Sequence, residues 1–572
     1  MLRSEYGSNS NTTFVTSWFH IYKDAIFDNK TTEWRFEQFE VILQSGIQIC
    51  IYTSPEFYDK LCELSYKYTN LKVMNPIQLE HTRSYFVCNA FKRENIDLIL
   101  PTNRHPIKDS YEYMILMSCK IEFLKDAILM DPWNSTHYAW IDFSIGYILN
   151  DKPRSIAYLK MLATRTFRPK MFAIPGCVSK FNEAEFSMLC EMPYWRFCGS
   201  FFLADKQSVL EFYDIYFAYF SDFLQEHKRL LWEVNYWAWL ETVKGWSPDW
   251  YAADHNDSIF CLPLEFYAKC LDISTDKIIY PYPDLYEGDN QFLPSSASYA
   301  FYQGRHVLNT RFVNYSFTEE GRYSIRDPNK ILYTNNVRCY LDASFTPICY
   351  GKMLEETVGL PSSDKFSHGL EDMRLFERNN QLYFIASNVN YSPSGKIRMM
   401  MGEYRPETLS YHNCLILDPP TDTWCEKNWI PLPGTNETPD FIYSWSPFQI
   451  GRLNDDNQLK IIYSRPLSAP HFHKVRGSSV FIRCDDGNLL GVVHFSEECH
   501  PRKYYHMLVC LDAATFLPIS CSDPFCFQHY GVEFCIGFAI YDDDKYAFWV
   551  SKKDNDATMI LIDRTQLVLS KI

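Results

Sequence analysis

Leu341-Asp-Ala-Ser-Phe-Thr-Pro-Ile-Cys349 is a short phrase that returns through the second half of the chain. It is echoed by Glu403-Tyr-Arg-Pro-Glu-Thr-Leu-Ser410, by Leu511-Asp-Ala-Ala-Thr-Phe-Leu-Pro-Ile-Ser520 and by Ile562-Asp-Arg-Thr-Gln-Leu-Val-Leu-Ser570. The copies start 62, 108 and 51 residues apart. The longest gap is about twice the others, which places one degenerate copy near Tyr463. A period of roughly 50 residues, each copy trailing a β-rich apolar run, is the signature of a β-propeller. Five copies predict five blades. The N-terminal half carries no such repeat, so the chain reads as two different domains in series.

At 572 residues and 67.5 kDa the chain is too long for one hydrophobic core. A hydrophobic content of 47%, with 17% aromatic, belongs to folded globular domains. A net charge of −15 argues against binding to a phosphate backbone, so nucleic acid is excluded as a partner. Met1 to Asn11 lack an apolar core, so no secretory signal is expected, and no apolar run is long enough to span a bilayer. Nineteen cysteines without CxxC pairs, several inside apolar strands as at Cys50, Cys484, Cys510 and Cys535, read as reduced core residues rather than a disulfide framework. A cytoplasmic location follows. The abundance of Asn, Tyr, Phe, Ile and Lys looks like AT-rich coding, which fits a large DNA virus (hence a host cytoplasm) or an unusual bacterium.

Residues 1–280 alternate strands and helices. Strands are expected at Thr13–Phe19, Ile47–Thr53, Ile96–Leu100, His137–Phe143 and Lys170–Ile174. Helices are expected at Glu33–Gln44, Pro55–Tyr68 and Tyr111–Leu129. The alternation predicts a mostly parallel, Rossmann-like sheet covered by helices, with ligands at the C-terminal ends of its strands. Four phrases lie there: Thr16-Ser-Trp18, Tyr52-Thr-Ser54, Asp142-Phe-Ser144 and Cys198-Gly-Ser-Phe-Phe202. An Asp delivered by an apolar run costs desolvation unless a cation or hydrogen bonds compensate, so Asp142 is a candidate oxygen ligand for a divalent metal. The alternative is a cap on the following turn. Gly199 permits a close backbone approach or an ordinary turn. Glu233 sits in an aromatic-rich helix with Trp232, Tyr236, Trp237 and Trp239, where a solvated role is the simpler reading.

The order of these phrases, Thr13-Phe-Val-Thr-Ser-Trp18, Ile49-Cys-Ile-Tyr-Thr-Ser54, Ser118-Cys-Lys120, Trp140-Ile-Asp142 and Phe197-Cys-Gly-Ser-Phe-Phe202, resembles GT-A glycosyltransferases, specifically HtrL/YibB-like proteins linked to bacterial surface-polysaccharide loci. The resemblance covers residues 12–265. It implies a UDP- or GDP-sugar donor, Mn²⁺ or Mg²⁺ held by a D-x-D, and a glycan or glycoprotein acceptor. Carried over, Thr16, Trp18, Tyr52, Lys120 and Gly199 would bind the donor, with Lys120 neutralising phosphate. Asp142 would hold the metal, and Glu233 would meet the acceptor or act as base. The second Asp of D-x-D is Ser144 here, so His255 or Asp257 of Asp254-His-Asn-Asp257 would have to compensate.

In the C-terminal half, β-runs at Gln381–Asn388, Lys460–Ser464, Ser479–Arg483, Leu489–Phe495, Tyr504–Leu511 and Tyr546–Ser551 are separated by turns such as Asp486-Gly487 and Ser394-Gly395. Inner strands of a propeller bring polar residues to one channel. Glu371, Asp372, Arg374, Arg476, His494, His506 and Glu533 are the candidates, either for a sugar or for satisfying one another. The half resembles the five-bladed propellers of glycoside hydrolase family 130 and mannoside phosphorylases, through Gly369-Leu-Glu-Asp-Met-Arg374, with Met373 where Pro would stand. It also resembles propeller modules fused to bacterial glycosyltransferases, through His368-Gly-Leu-Glu-Asp-Met-Arg-Leu-Phe376, Arg476-Gly-Ser-Ser479 and Gly531-Val-Glu-Phe-Cys535. That likeness makes Asp372 the expected acid and Arg374 with Arg476 the phosphate or hydroxyl binders. The linker is expected near Ile279-Tyr-Pro-Tyr-Pro-Asp-Leu-Tyr-Glu-Gly288, with the propeller at 290–572. The rival readings are a working propeller beside a degenerate first domain, and a non-catalytic carbohydrate-binding scaffold.

Overall fold

The computed structural model describes residues 11–21, 30–271, 273, 276–318, 321–361, 363, 366–434, 438–499, 502–528 and 531–572. The chain forms two compact units that divide between Tyr267 and Ala268. No helix among the described residues is long and apolar enough to cross a membrane.

The first unit is built on a seven-stranded sheet, β1 (Thr12–Trp18), β2 (Ile49–Thr53), β3 (Leu71–Val73), β4 (His137–Ile141), β5 (Phe172–Gly176), β6 (Phe201–Asp205) and β7 (Asp249–Ala252). Its order is β3-β2-β1-β4-β6-β5-β7. Strands β1 to β4 run parallel, β6 is antiparallel to both β4 and β5, and β7 runs parallel to β5. Successive side chains point to opposite faces, and both faces are buried. Val15, Cys50, Tyr138, Trp140 and Phe202 join one core, while Phe14, Ile49, Ile51, Ala139 and Phe201 join the other. Helices α1 (Thr32–Leu43), α2 (Pro55–Lys67) and α6 (Lys152–Thr164) cover the second face. Helices α3 (Arg83–Arg93), α4 (Tyr111–Ser118), α5 (Lys120–Met130), α8 (Lys206–His227) and α9 (Glu233–Val243) cover the first; a short α7 (Phe186–Glu191) precedes β6. This is a three-layer α/β unit.

The predicted strand at Ile96–Leu100 does not form; Ile99 makes one isolated bridge to Arg229. Leu98 is buried but Ile99 is half-exposed and Asn95 is left-handed (φ 58°), so the apolar run serves as a turn and a strap. The single helix expected over 111–129 is two, meeting at Cys119.

The second unit is all β. Among the described residues it holds five antiparallel-based sheets of four or more strands and one short hairpin. One strand of each sheet, in chain order Asn290–Tyr302, Glu371–Arg378, Ile430–Pro431, Arg476–Gly477 with Ile482–Arg483, and Glu533–Ile540, lies toward the middle of the unit, and those of the first, second and fifth sheets pack on one another. These strands enclose a cavity of about 460 Å³ lined by residues 299–301, 375–377, 431–433, 480–483, 536 and 538. The unit is therefore propeller-like.

In the first four sheets the recurring phrase forms the hairpin that joins third to fourth strand, while the Ile562–Ser570 copy leads instead to a strand, Leu569–Lys571, that pairs with Pro518–Ser522 of the fourth sheet. In the first sheet, Asp342 Oδ1 accepts from the amides of Ser344 and Thr346, while Phe345 turns left-handed (φ 58°). Asp512 repeats the turn with one extra residue, accepting from Ala514 and Thr515, and Phe516 is left-handed (φ 59°). The degenerate copy lies at Leu453-Asn-Asp-Asp-Asn-Gln-Leu459, ten residues before the expected place. Asn454 Oδ1 accepts from Asp456 and Gln458, and Asn457 is left-handed (φ 62°), the same offsets as at Asp342.

The domain boundary is earlier than the sequence reading of 280. Lys277–Ile279 pairs antiparallel with Asp556–Asp563 as the outer strand of the fifth sheet. The Tyr280 hydroxyl donates to the Phe345 carbonyl (2.7 Å). The stretch between the halves also supplies Leu285–Glu287, an edge strand of the first sheet that pairs antiparallel with the start of Asn290–Tyr302. Prolines interrupt the apolar pattern there without releasing the chain from the fold.

Candidate functional site

In the first unit, β1 leads outward to β2 and β3, and the chain then returns to the other side of β1 with β4. This reversal is the place where an open α/β sheet leaves a crevice beyond its strand ends. A cleft of about 480 Å³ opens there, lined from β1 by Ser17, Trp18 and Phe19 and from the end of β4 by Trp140, Asp142, Phe143 and Ser144.

Lys120, the first residue of α5, lies at the bottom of this cleft. Its side chain is 1% exposed, against 39% for Asp142 and 6% for Glu233. Nζ donates to Glu233 Oε1 (2.7 Å) and to the Gly199 carbonyl (2.8 Å), and sits 3.3 Å from Asp142 Oδ1. Burial works against the ammonium, but the Asp142 and Glu233 carboxylates overcome it and hold its pKa above the ordinary lysine value. Asp142 is fixed twice more: its amide donates to the Ser200 carbonyl, and its Oδ1 accepts from Trp140 Nε1 (2.7 Å). Gly199 makes the packing possible, since a Cβ there would lie 2.5 Å from Glu233 Oε1 and 2.9 Å from Val234 Cγ1.

The cleft thus brings together Trp18, Lys120, Asp142, Ser144, Gly199, Glu233 and His255 of the residues singled out in the sequence. It adds Lys30, Arg35, His105, Lys108, Tyr147 and Trp195, which no motif announced. Three expectations fail. Thr16 is fully buried one residue short of the cleft, because the strand ends only at Trp18. Tyr52 stacks on Phe123 (4.7 Å) and donates to Asp126 on the covered face of the sheet. Asp257 accepts from the amides of Asn150 and Asp151 and from the Ser155 hydroxyl, which makes it a brace for the start of α6. Lys120 is committed to two carboxylates, so it tunes the site's charge from below and does not reach up as a free phosphate ligand.

In the second unit, the starts of the inner strands carry a network of charges. Arg311 reaches Asp372 Oδ1 (3.2 Å) and Glu371 (3.9 Å), and Lys427 reaches Glu371 Oε2 (3.2 Å). Burial would raise the Glu371 pKa, but Lys427 and Arg311 prevail and hold it at about 2. Asp372 sits at a bulge with left-handed backbone (φ 50°). Arg476 is paired across the ladder with His494, and His494 with His506.

Two expectations change here. Arg374 is fully buried and donates to the Ser478, Gly477 and Asp372 carbonyls and to Asn428 Oδ1. It is a clamp between sheets with its guanidinium consumed. Glu533, also fully buried, accepts from the amides of Phe527 and Gln528 and shapes that loop.

The sequence did not single out Asp554. Burial, the largest influence, pushes its carboxyl above the ordinary range against the pull of Arg311, and Tyr315 donates to its Oδ2 (3.0 Å). Lys553-Asp-Asn-Asp556 reads as a solvated turn, and no local signal marks it.

Fold and sites together define a two-unit protein: an α/β unit with a polar, aromatic-rimmed cleft at its switch point, and a propeller-like unit with a buried ionic network. Residues 10–228 match the model of a family described as a bacterial protein of unknown function, HtrL_YibB. No curated protein matches the chain. Solved structures with similar coordinates include a hypothetical protein from Leishmania major, 16% identical, covering 49% of this chain and 90% of that one with a TM-score of 0.33. Another is MPT-4, a mannose phosphorylase from Leishmania mexicana, 15% identical over 51% of this chain and 92% of that one, TM-score 0.32. A third is MPT-1, a GDP-Man-dependent mannosyltransferase from the same organism, 12% identical over 51% and 90%, TM-score 0.31.

Proposed function

We propose that the protein is a carbohydrate-active enzyme whose first unit transfers a sugar from a nucleotide sugar to a glycan or protein acceptor. The observation that carries this reading is the Lys120–Asp142–Glu233 cluster at the floor of the switch-point cleft. Around it the cleft supplies what such a donor needs. Lys30, Arg35 and Lys108 stand near enough to neutralise a diphosphate, and Trp18, Trp195 and Tyr147 offer rings for a base or an apolar sugar face. Glu233 faces the cleft and is the carboxylate placed to take a proton from an acceptor hydroxyl.

The donor set fits a divalent ion in one particular way. Asp142 has Oδ1 occupied by Trp140 and Lys120, which leaves Oδ2 as its ligand atom, and Ser144 lines the same cleft. One carboxylate oxygen is what Mg²⁺ or Mn²⁺ accepts when substrate phosphates and water complete its shell. When bound, such an ion would stabilise the charge developing on the leaving diphosphate. Metal binding is therefore expected to require the nucleotide.

The five sheets of the second unit are read as the blades of a five-bladed propeller handling the glycan. A second reading puts chemistry in that unit. It is favoured by Asp554, whose carboxyl burial pushes above the ordinary range against the pull of Arg311, which suits an acid delivering a proton to a glycosidic oxygen while Arg311 and Lys427, the cations gathered at Glu371, hold phosphate.

A thermal-shift screen of the full chain against UDP- and GDP-sugars, with and without Mn²⁺, tests both. Stabilisation by one nucleotide class, lost in Asp142→Asn and kept in Asp554→Asn, is the expected result. A flat response to every donor would overturn the first reading. Phosphorolysis of mannosides that disappears in Asp554→Asn would then establish the second.

A further inference from the structure

Cys177 directly follows β5, Cys198 lies three residues before β6, and Asp254-His255 follows β7. Strand β5 lies between β6 and β7, parallel to β7 and antiparallel to β6. The end of β5, the start of β6 and the end of β7 therefore share one edge of the sheet, and these residues converge there. The Cys177 and Cys198 sulfurs are 3.6 Å apart, and Cys177 Sγ is 3.7 Å from His255 Nδ1. The ligand atoms of Cys177, Cys198 and His255 all lie within 4.8 Å of one another. Asp254 Oδ1 stands 3.6 Å from both Cys177 Sγ and His255 Nδ1.

We propose that Cys177, Cys198 and His255, with Asp254 as fourth ligand, form a zinc site. A tetrahedral zinc with bonds of about 2.3 Å to sulfur and about 2.0–2.1 Å to nitrogen sets its ligand atoms about 3.8 Å apart for two sulfurs and about 3.6 Å for sulfur and nitrogen. The Cys177–Cys198 and Cys177–His255 separations, 3.6 and 3.7 Å, match these values, and the Cys198 and His255 ligand atoms lie within 4.8 Å of each other. They do not match a disulfide, whose sulfurs are about 2.05 Å apart. Two thiolates and an imidazole select zinc over Mg²⁺ or Mn²⁺, so this site is chemically distinct from the oxygen-rich corner at Asp142.

The ion would tie together the ends of three strands. It would also fix the run from Trp195 to Ser200, whose Gly199 carbonyl accepts from Lys120, and so brace one wall of the cleft. His255 and Trp195 both line the cleft and their rings meet edge to face at 4.4 Å. The inference stands on this cluster alone and does not depend on the donor-site reading. The four ligands stand 21, 56 and 1 positions apart along the chain, so no short zinc motif appears in the sequence.

The test is elemental analysis of the purified full-length protein, followed by cobalt exchange. One equivalent of zinc is expected, and after exchange a near-ultraviolet band from thiolate-to-cobalt charge transfer should appear. Cys177→Ser and Cys198→Ser should lose the metal, while Cys190→Ser, which removes a thiol outside the cluster, should keep it. Should the serine variants fold poorly, the wild-type protein still decides: chelation should lower its melting temperature, and added zinc should restore it. Protein without zinc that takes up no cobalt overturns the proposal, whether both thiols titrate as free or mass spectrometry finds Cys177 and Cys198 joined.

Discussion

Lys120 is the side chain on which the first unit's cleft depends, because one buried ammonium holds two carboxylates and a carbonyl. Removing one partner of a buried ion pair leaves the other uncompensated. Lys120→Met is therefore expected to cost about 3–5 kcal/mol in chemical denaturation, and Lys120→Met/Glu233→Leu should recover much of that loss. Gly199→Ala acts on the same contact from the other side. Its Cβ would press on Glu233 Oε1, so a destabilisation of about 1–3 kcal/mol is expected, together with loss of any donor-induced thermal shift.

In the second unit, burial depresses the His506 pKa to about 4, and neither ring nitrogen has a hydrogen-bond partner among the described residues. The folded state thus prefers neutral imidazole. Its contribution is complete above the unfolded pKa of about 6.5 and is lost as pH falls toward 4, amounting to about 3 kcal/mol at 1.36 kcal/mol per unit. Equilibrium unfolding followed across that window should show the loss, and His506→Phe should flatten it. Asp142 was singled out because it ends an apolar strand, whereas Lys120 and Glu233 entered only through the resemblance, and neither the burial of Glu233 nor its pairing with Lys120 was read from the sequence. Thr16 and Tyr52 were misplaced because a phrase does not reveal where its strand stops or which face a side chain takes. Arg311, Lys427 and Asp554 were invisible, since their meeting is made by distant turns.

At the level of elements, the repeat was readable because it encodes backbone geometry. In three of the copies an Asp or Asn whose Oδ1 accepts two amides, followed by a left-handed residue, closes the hairpin. This also explains the misplaced copy. At Leu453–Leu459 the leading Leu and the turn's hydrogen bonds are kept, but Asn454 replaces the Asp and the Thr-Phe is gone, so matching on Leu-Asp-x-x-Thr-Phe misses it. Asp342→Ala and Asn454→Ala should each cost about 1 kcal/mol, and Asn454→Asp should be close to neutral, as measured by urea denaturation. The broken helix at Cys119 and the absent strand at Ile96–Leu100 went unread for the opposite reason: apolar runs of that length fit several elements, and packing alone selects among them.

For the whole molecule, the division into an α/β unit and a propeller-like unit was legible from the change in periodicity, but the border was not. Lys277–Ile279 and Tyr280 belong to the second unit through the strand Asp556–Asp563 and the hydrogen bond to Phe345. A fragment starting at 268 is expected to melt cooperatively at a higher temperature than one starting at 281, which lacks the outer strand of the fifth sheet and the Tyr280 anchor. Equal melting temperatures in calorimetry would return the border to the sequence reading.

The pairing of Lys277–Ile279 with Asp556–Asp563 also bears on how the chain is made. The first partner leaves the ribosome 279 residues ahead of the second. At about 5–20 residues per second that is a wait of about 15–55 s, during which an unpaired strand edge is open to the wrong neighbour. Closing so long a loop adds little entropic cost over a shorter one. The exposure is thus a matter of time more than of equilibrium. Nascent chains stalled before residue 556 should accordingly bind holding chaperones, and release should coincide with synthesis of the last sheet.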